Sequence, residues 1–215
     1  MTNATATPGA SALPKRKYGL VGCLGLLVLG AIIVGLWIAG QYNSLVKLDQ
    51  GVRSAWAQVE NVYQRRADLV PNLVETVKGA AEFERSTFTA VTEARARVGQ
   101  VSIDAGRLSD AEAFAQFQQA QDQLGSAISR LLVAVENYPD LKATQNFRDL
   151  QVQLEGTENR ITTERQRYNE SAQAFNTKRM SFPTVFIAGF FGARFAEKQY
   201  FKAQSGVETA PPVKF

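Results

Sequence analysis

From Tyr18 to Val46 the chain carries no charged residue, and from Gly19 to Gly40 it is almost wholly apolar. As a helix this run would be about 33 Å long, enough to cross the hydrocarbon core of a bilayer. Residues 18–40 are therefore expected to be a transmembrane anchor, with Gly19, Leu20, Leu26, Leu27, Ile32, Ile33, Leu36 and Trp37 in lipid. Tyr18 at one end, and Trp37 and Tyr42 at the other, suit the two interfacial belts. A cleavable signal would be shorter, and here Trp37 would occupy the −3 position for cleavage after Ala39. A lipoprotein signal would need the oily run before Cys23, whereas it follows.

Beyond the anchor the apolar positions keep helical time. Leu45, Leu48, Val52, Ala55, Val59 and Val62 are spaced by threes and fours, and so are Val70, Val74, Val77, Ala81, Phe88, Val91 and Val98. Between the two sets, Asp68 can act as an N-cap with Pro71 in the first turn, so the chain is expected to reverse there. Ser109-x-x-Glu112 has capping-box spacing and opens a third segment through Phe114, Phe117, Leu124, Ile128, Leu131, Val135 and Tyr138, with Gln121 as its polar member. In a fourth, Phe147, Leu154, Ile161, Tyr168, Phe175 and Phe182 recur at every seventh residue. No run alternates with period two. The pattern predicts an all-α protein: an anchor and then an antiparallel up-down-up-down bundle with helices at 41–66, 69–99, 109–138 and 142–181.

An even number of rods would return the chain to its starting end at Phe182. There the segment 183–202 opens with "PTVFIAGFFG", which is too short to span a membrane as a helix. Phe182, Val185, Phe186, Ile187, Phe190 and Phe191 are candidates either to cap the bundle floor or to lie in the lipid interface. Residues 1–17 are expected to be a disordered basic tail and 203–215 a flexible one.

Charge sharpens this picture only at the N-terminus. The net charge is +4, yet Lys15, Arg16 and Lys17 supply most of it, and from Gln41 onward there are 21 basic and 20 acidic residues. No basic stripe marks a nucleic-acid binder. The positive flank places the N-terminus in the cytoplasm and the bundle outside the inner membrane. Ala31, Gly35 and Ala39 form a small-residue stripe through which two anchors could pair. One cysteine and no histidine exclude disulfides within the chain, Cys/His zinc sites and histidine triads.

Several blocks carry a family resemblance: "QRRADLVPNLVETVKG", "ENYPDLKATQNFRDLQVQLEGTENRI", "RQRYN" and the Phe182–Pro183 pair. From about Tyr42 to Phe201 the chain resembles the LemA family of bacterial membrane proteins. The resemblance implies an N-terminal anchor and a helical domain. It implies little about chemistry; some relatives are implicated in building intracellular membrane compartments and others are associated with envelope proteases. Many relatives read roughly Gly-Tyr-Ala-x-His-Glu where this chain has Gly79-Ala80-Ala81-Glu82-Phe83-Glu84, so the Tyr and His are absent.

No phosphate loop, nucleophile elbow or metalloprotease motif occurs. Catalytic, cofactor and metal residues are accordingly expected to be none. Two polar sets remain. Counted back from the expected turn, Arg53, Glu84, Asp122 and Glu158 fall at similar heights, as a polar layer or as solvated charges. Arg65, Arg66, Asp68, Asn72 and Asp140 would pin the distal tip or bind a partner there, with Asp140 or Asp149 pairing the arginines. The expected protein is a non-catalytic, membrane-tethered scaffold that touches lipid, an unidentified protein partner or its own copy, and no nucleic acid. The alternative is an accessory subunit of a membrane protease or another envelope machine.

Overall fold

The computed structural model describes residues 15–78 and 85–202. Among them the chain is all-α, in the order α1 (Lys15–Lys78), α2 (Arg85–Gln100), α3 (Ala111–Val135), α4 (Pro139–Lys142), α5 (Gln145–Met180) and α6 (Thr184–Phe190), then a 3-10 turn at Gly192–Phe195. It divides into two compact units, Met1–Asn43 and Ser44–Phe215. In the first, the apolar run is helical and its large side chains are exposed, Leu26, Leu27, Ile32, Ile33, Leu36 and Trp37 among them. The basic triplet expected in a disordered tail instead opens α1. Residues 1–14 and 203–215, expected to be unstructured, lie outside the described residues.

In the second unit α1 does not end near Asp68. It runs through Pro71 to Lys78, and the reversal falls after it. A proline inside a helix removes the N–H that would bond the carbonyl four residues back, here Ala67. That carbonyl has another donor: Arg95 Nε of α2 reaches Ala67 O at 2.9 Å. A contact from 28 residues away thus satisfies the acceptor that Pro71 orphans. Residues 79–84, Glu84 among them, lie outside the described residues.

Side-chain contacts fix the order of the helices. Arg97 of α2 meets Gln123 of α3, and Ala94 and Ala127 of the same pair line one cleft; their numbers rise in opposite directions. Trp56 and Arg66 of α1 pair with Tyr168 and Glu158 of α5, again in opposite directions. Against α3, Trp56 meets Phe114 and Arg66 meets Gln121, which makes α1 and α3 run the same way.

The expected a/d positions of α3 from Phe114 to Val135 are buried, as are Phe147, Leu154, Ile161, Tyr168 and Phe175 on α5, whereas Tyr138 falls beyond the end of α3 and is half-buried. The heptad outlasts the core by one step: α5 stops at Met180 and Phe182 is 82 % exposed. The cap of α3 is Asp110, one residue later than expected, with Oδ1 accepting from Ala113 N at 3.0 Å. Ser109 is otherwise engaged, its hydroxyl donating to Ala196 O at 3.4 Å.

That last contact belongs to a feature the periodicity did not reveal. At about 1.5 Å per residue, α2 is roughly 24 Å long against roughly 54 Å for α5. Beyond the end of α2, the non-helical residues 196–202 run back along α5. Two asparagines hold this strap. Asn176 Nδ2 donates to Lys198 O and its Oδ1 accepts from Lys198 N, both at 2.9 Å. Asn169 does the same with Phe201, at 3.0 and 2.9 Å. The register follows from geometry: seven helical residues rise about 10.5 Å, and three extended ones span about 10 Å. Gln199 N donates to Leu108 O at 3.0 Å, and Gln118 of α3 brackets Lys202 through both amide atoms.

Candidate functional site

The core of the second unit has two parts. One is mainly aliphatic and holds Leu73, Val77, Val91, Leu124, Leu131 and Leu154 with Phe147. The other is aromatic: Trp56, fully buried, meets Phe114, Phe117, Tyr168 and the strap residue Phe201, with ring centroids 5.2–6.0 Å away. The Tyr168 hydroxyl donates to Gln199 O at 3.0 Å, and burial pushes its phenol well above the usual tyrosine range.

A polar layer lies between the two parts, built on Arg66 and not on Arg53. Arg66 is 3 % exposed. Its Nη1 donates to Glu158 Oε1 at 2.9 Å, and its Nη2 donates to Gln121 O at 2.8 Å and to Gln121 Oε1 at 2.6 Å. Its guanidinium also stands 5.0 Å from the Tyr63 ring centre. Arg165 faces Asp122 at 3.5 Å beside it, and a cleft of about 540 Å³ opens over this group. The late reversal explains the exchange: moving the turn about thirteen positions puts Arg66 at the height where Arg53 was expected. Asp122 and Glu158 are therefore in the layer and Arg53 is not.

Nor do the residues expected at a distal tip form one. Arg65, Asp68 and Asn72 are exposed along α1, with Asp68 accepting from Gln64 at 2.8 Å. Arg66 is mid-helix and paired with Glu158, not with Asp140 or Asp149. Asp140 is exposed in α4. No group of three or more His, Cys, Asp or Glu among the described residues could hold a metal ion.

At the end of this unit where its own chain begins, Asp49 is buried and takes Arg53 Nε at 2.8 Å and Lys198 Nζ at 2.9 Å. Burial alone would push its carboxyl up; Lys198 and Arg53 together overcome that and hold it below the usual carboxylate value. A lowered folded-state pKa stabilises above the unfolded value and is lost as pH falls through the folded one. Acidification below about pH 4 should therefore lower the melting temperature of the native protein more than that of Asp49→Asn. Circular dichroism melts of both at neutral and acid pH test this; equal losses would mean the pair does not contribute.

The same end carries α6. Its Thr184, Ile187 and Ala188 are buried against the bundle, while Phe182, Phe186 and Phe190 are 82 %, 70 % and 86 % exposed, with Met180, Val185 and Phe191 beside them. Ile187 is thus a core residue and the other five candidates form an outward face. Gly192, at φ +51°, turns the chain from α6 into the 3-10 segment, a conformation that favours glycine. Single exposed apolar residues are ordinary; here two exposed aromatic pairs stand together on one short segment, Phe182 with Phe186 and Phe190 with Phe191.

These features define a class: an all-α protein with an N-terminal helix long and apolar enough to cross a membrane, joined to a helical domain. The LemA family model matches residues 55–215, well over half of the chain, and the chain belongs to the LemA family. It is 25 % identical to Magnetosome protein MamQ 1 of Paramagnetospirillum magneticum, over 90 % of this chain and 78 % of that one. It is 25 % identical to Magnetosome protein MamQ of Magnetospirillum gryphiswaldense, covering 88 % and 74 %. To Protein LemA of Metamycoplasma hominis it is 24 % identical, covering 69 % and 64 %.

Proposed function

We propose that this protein is a non-catalytic scaffold, tethered by residues 18–40 to the inner membrane of a bacterium, whose helical domain binds partners or shapes the membrane. The observation that carries the reading is the apolar run, helical, uncharged from Tyr18 to Val46, and with its large side chains from Leu24 to Ile38 exposed. A helix of that composition exposed to water would be strongly unfavourable, and lipid removes the penalty. The magnetosome relatives support a role at a membrane compartment, the setting the family resemblance implies. The domain's buried Arg66 fits the same reading, since it donates to Gln121 and to the exposed Glu158 and so ties α1 to α3 and α5.

The test is made on the full-length protein in its native membranes. It should stay in the membrane pellet after an alkaline carbonate wash, and crosslinking should give homotypic products through the anchor. Release by carbonate would overturn the tether. One stoichiometric foreign protein in place of the homotypic product would replace the scaffold with the accessory subunit of an envelope machine.

A further inference from the structure

We infer that the outward face of α6 is a second membrane contact, separate from the apolar N-terminal helix, and that it docks on bilayers containing anionic lipid. Two aromatic pairs stand on it: Phe182 with Phe186 at 6.0 Å and Phe190 with Phe191 at 5.3 Å, each nearly edge to face. The inner face of the same helix is fixed to the core through Thr184, Ile187 and Ala188. The phenylalanines therefore cannot turn inward without unpacking α6. An amphipathic element held this way, short and rich in Phe, has the composition of an interfacial insertion that reaches the acyl boundary without crossing.

Charge selects the occupant. From Ser171 to Ala196 the chain has no acidic residue and three basic ones, Lys178, Arg179 and Arg194. Lys178 and Arg179, both half-buried, lie in the last turn of α5, with Arg179 Nε donating to Phe195 O at 2.6 Å. Arg194, 5.7 Å from the Phe195 ring centre, is exposed on the 3-10 turn, so along the chain the cations flank the aromatic patch on both sides. Asp49, the buried carboxylate at this end, is neutralised by Lys198 and Arg53. Glu197 is exposed just beyond the segment. An apolar centre with a cationic rim complements an anionic bilayer surface, where each basic residue near the headgroups strengthens binding roughly fivefold. A protein partner would have to match both the Phe face and the rim; a lipid surface offers both without a specific fold.

The inference rests on the tether in one respect, that the chain sits in a membrane, and the experiment separates the two. Full-length protein is reconstituted into vesicles of phosphatidylcholine with about a quarter phosphatidylglycerol, carrying nitroxide-labelled lipid. An environment-sensitive fluorophore is placed at one of three positions: native Cys23, Val185→Cys or Val133→Cys, the last two in a Cys23→Ser background. Val133 is exposed on α3. The Cys23 label reports the anchor alone. The Val185 label should be quenched by lipid nitroxide at least about twofold more than the Val133 label, and be correspondingly protected from aqueous acrylamide. Phe186→Ser with Phe190→Ser should abolish the difference. Lys178→Gln with Arg194→Gln should weaken it by more than an order of magnitude in effective affinity, as should vesicles of phosphatidylcholine alone. Quenching at Cys23 together with full acrylamide access at Val185 would overturn the α6 contact and leave the tether standing. Protection at Val185 from both quenchers would mean protein covers the face, and would overturn it as well. Loss of lipid quenching at Cys23 would overturn the tether itself.

Discussion

Trp56→Ala is expected to destabilise the helical domain by about 3–5 kcal/mol, the largest loss for any single truncation in it. The indole is fully buried and is the hub of the aromatic core, contacting rings from α3, α5 and the strap. Its removal leaves a void bounded by elements that cannot close together, because the strap is pinned by Asn169 and Asn176 at fixed heights. Denaturant titration of the reconstituted protein followed by far-ultraviolet circular dichroism reads the loss. Trp56→Phe keeps a ring against Phe201 and should lose about 1–2 kcal/mol. A Trp56→Ala midpoint indistinguishable from the native one would show that the aromatic half does not support the fold.

The next largest effect is expected from Asn176→Ala, at about 2–5 kcal/mol. The side chain is fully buried and makes three hydrogen bonds, two to the backbone of Lys198 and one from Nδ2 to the Tyr200 hydroxyl at 2.9 Å. Alanine leaves the N–H and carbonyl of Lys198 buried without partners, and each orphaned group is worth about 1–3 kcal/mol. The strap should then detach locally before the helices melt. Hydrogen exchange at the Lys198 and Phe201 amides should accelerate far more than exchange in the middle of α3. Asn169 is only half-buried, so Asn169→Ala should show the same pattern with a smaller amplitude. Uniform acceleration across α3 and the strap would mean that they open as one unit and that the clamp has no separate role.

Much of this architecture was legible in the order of residues. The apolar run, the helical character of every later segment and the inward faces of α3 and α5 all follow from spacing, because burial of one stripe per helix is what the periodicity records. The errors at the first reversal and at the start of α3 share one cause, a local signal answered by a distant residue. Asp68 and Pro71 form a good helix start, but Arg95 supplies the donor that Pro71 lacks, and nothing near Pro71 announces it. From that single displacement the polar layer passed from Arg53 to Arg66, and the tip assigned to Arg65, Asp68 and Asn72 became the side of a helix. Likewise Ser109 has cap spacing, yet the strap occupies its hydroxyl and Asp110 takes the role.

The strap did leave a trace. Asn169 and Asn176 follow the heptad residues Tyr168 and Phe175 by one position, so the two carboxamides stand on one side of the helix two turns apart beside the core stripe. The spacing shows that they share a face and not which segment they bind. On α6 the phenylalanines were visible, but only the structure separates Ile187, which faces the core, from its five outward neighbours.

The strap also sets the order in which the chain can mature. Translation delivers residues 196–202 after every helix they cover, and domains fold largely in the order they emerge. Until Phe201 leaves the ribosome, Trp56, Phe114 and Tyr168 have an open side, and neither Asn169 nor Asn176 has found the backbone it is cut to hold. A nascent chain stalled before Lys198 would therefore present a wet aromatic cleft to chaperones and quality-control proteases, although all of its long helices had already been made.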